Sequence, residues 1–108
     1  MTIGLMSKEE RAKADRVPGI TFVDGPVGRR AHVVGSGLDV FEIIRDYRSL
    51  GCDRDLLVSE LDWVEPRHLD IAIAYYGAFP YEIDARLNRE HQLRAEAIHG
   101  PDPTSLAD

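Results

Sequence analysis

Three arginines near the C-terminus, Arg86, Arg89 and Arg94, carry side chains suited to recognition chemistry. A guanidinium presents a planar fork of donors that grips a carboxylate or phosphate bidentately. A second basic group comprises Lys8, Arg11, Lys13, Arg16, Arg29 and Arg30, and it is the main basic concentration of the chain. Such a group is suited to phosphate contact when one surface holds it. Arg67 adds a cation near the start of a later helical segment. The plain alternative for all of these is a solvated face with local pairs such as Arg86–Glu90. Other chemistry is poorly supplied. His32, His68, His91 and His99 show no metal-ligand spacing. Asp53 and Asp55 flank a helix start and read as capping residues. Cys52 follows Gly51 in a turn with no histidine nearby in sequence. Gly25-Pro26-Val27-Gly28 and Gly35-Ser36-Gly37 lack the lysine of a phosphate loop. The residues argue for a binding protein with no cofactor, no metal and no enzymatic activity.

The elements that must position these side chains centre on residues 38–76. Val40, Ile43, Ile44 and Tyr47 fall at i, i+3, i+4 and i+7, an apolar stripe at helical period. Asp39 sits at the N-cap position, and Glu42 completes an acidic capping box. Gly51 ends that helix near Leu50, because glycine takes the left-handed C′ conformation cheaply. Asp53 caps a shorter helix carrying Leu56, Leu57 and Leu61. Pro66 opens a third, where its missing N–H costs nothing. Leu69, Ala72, Ile73 and Tyr76 are expected as the third helix's buried stripe, with Ile71, Ala74, Tyr75 and Ala78 opposite. A helix apolar on both sides is buried on both sides, so a dimer partner is expected there, with Phe22, Ile71 and Tyr75 at the interface.

Before this core, Ser7-Lys8-Glu9-Glu10 fits a capping box for a short helix to about Arg16. That helix has no apolar stripe to dock it, and short isolated helices are marginal. Ile20–Val23 and Arg30–Val34 read as two strands around the loop Asp24–Gly28. After the core, Pro80 starts a fourth helix that Gly100-Pro101 ends. Ile83, Leu87, Arg94 and Ile98 share one thin, mixed face, so the helix is expected to project beyond the core. Residues 101–108 read as a disordered tail.

The chain has 108 residues, enough for one domain with a modest core. The net charge of −6 is unevenly spread. Residues 1–37 hold six basic against four acidic residues (+2), 38–77 hold four against nine (−5), and 78–108 hold three against six (−3). Phosphate contact needs positive charge, so the helical core is a poor unaided DNA binder. No apolar run reaches membrane-span length and no signal-peptide pattern is present. A single cysteine makes no internal disulfide, and a cytoplasmic location with no membrane attachment is expected.

Gly35-Ser36-Gly37-Leu38-Asp39-Val40-Phe41-Glu42-Ile43 resembles the Gly-Thr-Arg-Ile-Pro-Val-Trp-Asp-Val segment of the domain-of-unknown-function 433 family. Ile71-Ala72-Ile73-Ala74-Tyr75-Tyr76 resembles that family's Ala-Ala-Leu-Ala-Tyr-Tyr, and Pro80-Tyr81-Glu82-Ile83-Asp84 its Pro-Glu-Glu-Ile-Asp. The match spans roughly residues 19–85. Ser36-Gly37 stands in place of the family's Thr-Arg, and Glu65 in place of a capping threonine. The family is similar to VapB-type antitoxins, which are encoded beside PIN-like ribonuclease toxins.

The resemblance implies a mainly α (α+β) fold: an N-terminal β-hairpin, a three-helix helix-turn-helix core and a projecting C-terminal helix. The corresponding divisions are an arm at 1–18, the hairpin and core at 19–79, the helix at 80–100 and the tail at 101–108. It further implies a homodimer that neutralises a cognate PIN-like ribonuclease by protein–protein binding, and that represses its own operon by binding operator DNA. On this reading Arg86, Arg89 and Arg94 contact the toxin, whose metal-holding carboxylates an arginine fork can occupy. Lys8, Arg11, Lys13, Arg16, Arg29, Arg30 and Arg67 are the DNA-contact candidates. The alternative is a stand-alone dimeric DNA-binding regulator.

Overall fold

Local signals start and stop most of the elements. In the computed structural model, which describes residues 6–25 and 28–99 (the side chains of 97–99 excepted), Ser7 caps the helix α1 (Lys8–Arg16). Its hydroxyl accepts from the Glu10 N–H at 3.0 Å, and the Glu10 carboxylate returns to the Ser7 N–H at 3.1 Å. Asp39 precedes α2 (Val40–Ser49), with the Glu42 carboxylate accepting from the Asp39 N–H at 2.8 Å. Asp53 caps α3 (Arg54–Glu60) by accepting from the Leu56 N–H. Pro66 and Pro80 stand at the first positions of α4 (Pro66–Ala78) and α5 (Pro80–His99). The described chain is therefore mainly helical.

Three short strands form one antiparallel sheet in the order β1 (Ile20–Val23), β2 (Arg30–Val33), β3 (Leu38–Asp39). The registers are Phe22 opposite Ala31 and His32 opposite Asp39. The third strand was not expected from the sequence. It follows the turn at Gly35-Ser36-Gly37, where the Ser36 hydroxyl donates to the Val33 carbonyl and accepts from the Leu38 N–H.

The inward side chains Ile20, Phe22, Ala31 and Val33 join Val40, Ile43, Ile44, Leu57, Leu69, Ala72, Tyr75 and Ile83 in one core. Leu56, expected with Leu57 and Leu61 on the apolar face of α3, is exposed instead. Tyr75 lies at the centre. Its ring meets Phe22 edge-on at 6.4 Å between centroids and Phe79 at 4.9 Å. This corrects the expected stripe of α4, which is His68, Leu69, Ala72 and Tyr75, with Ile73 and Tyr76 only half-buried. Phe22 and Tyr75, assigned above to a dimer interface, are 3% and 0% exposed inside their own chain. They offer no surface to a second copy.

Ile71 is half-buried, and the Gly19 backbone lies close against it. That glycine has φ +102°, and a Cβ there would meet the Ile71 Cδ1 at 2.6 Å. The second side of α4 is thus partly closed by the chain's own N-terminal segment. No helix among the described residues is long and apolar enough to cross a membrane. The expected disordered tail at 101–108 lies outside the described residues, as do the Ile98 side chain and loop residues 26–27.

After α2, two successive residues adopt left-handed backbone: Gly51 at φ 74° and Cys52 at φ 59°. Glycine carries no penalty there, but an L-residue pays about 1–2 kcal/mol. Cys52→Gly should therefore raise stability by about 0.5–1 kcal/mol after the added flexibility of the unfolded chain is subtracted. Urea unfolding with an unchanged m-value checks this. A fall in midpoint would mean that the exposed thiol side chain makes a stabilising contact of its own.

Candidate partner-binding site on the C-terminal helix

The first turns of α5 are anchored and the later ones are not. Ile83 is buried and Leu87 packs partly against the core, whereas Asn88, Arg89, His91, Gln92, Leu93 and Arg94 are exposed. Twenty residues of helix extend about 30 Å. The radius of gyration is 16.0 Å, against about 13 Å for a compact chain of this size. The chain is thus more extended than a compact domain of its length.

Two clefts flank this helix. One, of about 480 Å³, lies between β2, α2 and α5 and is lined by Arg29, Arg30, Phe41, Ile83, Arg86 and Arg89 among others. The other, of about 410 Å³, lies between α2 and the outer part of α5 and includes Arg45, Arg48, His91 and Arg94. Phe41 and Asn88 line both. Two sets of arginines assigned to separate roles from the sequence therefore meet in the first cleft. Phe41, Arg45 and Arg48 were missed as candidates. Their signal was available, because they repeat at i, i+4 and i+7 on α2 opposite the core stripe.

The charges around these clefts are not equally free. Glu10 grips Arg29 at 2.8 and 3.0 Å, and Asp24 takes its third nitrogen at 3.0 Å. The bond from Arg29 holds the Glu10 carboxyl below its ordinary range. Arg30 donates to the Asp39 carboxylate and to the Asp24 carbonyl oxygen. Asp39 also meets His32 Nδ1 at 2.9 Å, so this buried carboxylate ties β2 to the start of α2. No hydroxyl or thiol hydrogen-bonds that histidine among the described residues. Arg86 lies with its guanidinium 4.6 Å over the Phe41 ring and reaches Glu90 at 3.3 Å. Arg89 and Arg94 make no ion pair among the described residues.

The remaining basic candidates differ in how far they are engaged. Lys13 reaches Glu82 at 2.9 Å, and Lys13 and Arg16 stand over the Phe79 ring at 5.3 and 5.5 Å. Lys8 and Arg11 are exposed on α1. Arg67 is 70% exposed and bonds Glu65 at 2.7 Å, which lowers the Glu65 carboxyl. No protein-family model matches the chain, and no curated protein or solved structure does.

Helix α1 has no buried residue. It is held by Glu10–Arg29, by Lys13–Glu82 and by the two cations over Phe79, so its attachment titrates. Glu10's folded pKa is depressed. Its contribution is therefore fully present above the unfolded carboxylate range and lost as pH falls through the depressed value. α1 should detach on acidification before the core unfolds. Loss of amide-exchange protection in residues 8–16 ahead of 40–49 is the readout, and simultaneous loss would show α1 to be part of the cooperative core.

Proposed function

We propose that this chain is a non-enzymatic antitoxin-like protein that binds and neutralises a PIN-like ribonuclease through the exposed part of α5. The observation that carries the reading is the length of α5 beyond its anchors. Arg89, Leu93 and Arg94 combine exposed guanidinium groups with an apolar side chain on a helix that nothing in the core requires to continue. An arginine fork is complementary to clustered carboxylates such as those that hold a nuclease's divalent metal. The sequence resemblance points to the same partner class.

The reading takes β1–β2 as the hairpin and α2–α4 as a helix-turn-helix core of a cytoplasmic homodimer that also represses its own operon. With Phe22 and Tyr75 inside the core, the second copy would use the groove of Arg16, Pro18, Ile71, Ala74 and Ala78. The alternative, a stand-alone DNA-binding regulator, draws less support. Most of its candidate cations already have acidic or aromatic partners, and the outer face of α4 is largely apolar. Co-expression with the product of the adjacent reading frame tests the proposal. The expected outcome is a stable complex in which that protein's ribonuclease activity is lost. A neighbour without nuclease activity, or one that forms no complex, removes the basis for it.

A further inference from the structure

The geometry points to a second binding site in the anchored half of α5: the cleft between β2, α2 and α5 takes a small organic anion. Such a ligand would have a phosphate or carboxylate group at the arginines and an apolar body against the cleft's apolar side chains. The cleft's volume of about 480 Å³ falls within the range of small-molecule sites, roughly 300–1,000 Å³. Its apolar lining comes from Ala31, Phe41, Ile83 and Ala85. Four guanidinium groups line it against one carboxylate, Glu82, which already accepts from Lys13 and from the Tyr75 hydroxyl.

Arg29 and Arg30 are fixed by Glu10, Asp24 and Asp39 and serve as walls. Arg86 differs. Its side chain is only 16% exposed; one terminal nitrogen pairs with Glu90 at 3.3 Å, while Nε is buried without a hydrogen-bond acceptor. Burying a charged group with a donor unmatched costs free energy, and an anion beside it supplies the missing acceptor. Arg89, one turn further along α5, lines the same cleft and is free to close on the ligand. Apolar side chains beside arginines in one cleft fit an organic anion better than a bare inorganic ion. The site needs no partner protein, so it stands or falls independently of the nuclease reading.

Calorimetric titration of the full-length protein with adenosine 5′-monophosphate, benzoate and inorganic phosphate tests this. Saturable binding of the nucleotide or of benzoate is expected, at least tenfold tighter than inorganic phosphate, and the tighter of the two identifies phosphate or carboxylate as the preferred group. Arg86→Met and Arg89→Met should each weaken it by about tenfold or more, the loss of one charged hydrogen bond. Arg67→Met should leave it unchanged. If Arg86→Met does not fold, the exposed Arg89 still carries the test. Absence of saturable binding at millimolar probe, inorganic phosphate binding as tightly as the organic probes, or indifference to Arg89→Met would each overturn the proposal.

Discussion

Deleting residues 89–108 should leave a folded domain that, on the proposed function, no longer protects cells from the partner nuclease. Ile83 and Leu87, the apolar anchors of α5, both lie before the cut, and among the described residues that are lost the side chains from Arg89 to Glu96 are mostly exposed. Little apolar area is removed, so the melting temperature should fall by no more than a few degrees, the equivalent of about 1 kcal/mol or less for a domain of this size. Affinity should respond very differently. If the exposed guanidinium groups are interface anchors, each contributes on the order of 2 kcal/mol or more to binding, and removing two costs at least a hundredfold. Arg89→Ala/Arg94→Ala should reproduce most of that loss if they enter a carboxylate pocket, and little of it if the helix merely masks a surface. Full neutralisation by the truncated protein would place the inhibitory surface within residues 1–88 and end the proposal.

Tyr75→Ala should remove a large part of the stability of this domain. The ring is fully buried between Phe22 and Phe79, and its hydroxyl donates to Glu82 at 2.8 Å. Burial, reinforced by Glu82, raises the phenol far above its ordinary pKa, so the group stays a neutral donor. Truncating a large buried aromatic costs about 3–5 kcal/mol, a large part of the 5–15 kcal/mol typical of a small domain. Tyr75→Phe separates the two contributions, since it keeps the packing and removes only the hydrogen bond, at about 1–2 kcal/mol. Urea unfolding of both variants is the measurement. A loss under 1 kcal/mol for Tyr75→Ala would mean that the surrounding side chains collapse into the space.

Helix starts were legible because their causes are local. Ser7 with Glu10, Asp39 with Glu42, Asp53, Pro66 and Pro80 each act within a few residues of the boundary they set. The strand at Leu38–Asp39 was not legible, because two residues carry no period and the strand exists only by pairing with His32 and Val33. Tyr75 and Tyr76 were exchanged for a related reason. Adjacent tyrosines in the apolar C-terminal half of α4 have no polar neighbours there to orient them, and the space between Phe22 and Phe79 decides which one enters. The joint cleft was beyond sequence reasoning altogether. Arg29 and Arg86 belong to distant segments, and only the packing of α5 across α2 brings them together.

The ionic contacts of this chain also differ in when they can form. Those at Asp39 close loops of nine residues to Arg30 and seven to His32. Loop-closure entropy rises with span, so the junction of sheet and helix is inexpensive to organise while the rest of the chain is still open. Lys13 and Glu82 are 69 residues apart. Their contact closes the longest of these loops and must wait until α4 and α5 have delivered the carboxylate. By loop length the charged pairs thus grade from the short closures at Asp39, through Glu10–Arg29 at 19 residues, to Lys13–Glu82, the one that costs most chain entropy to close.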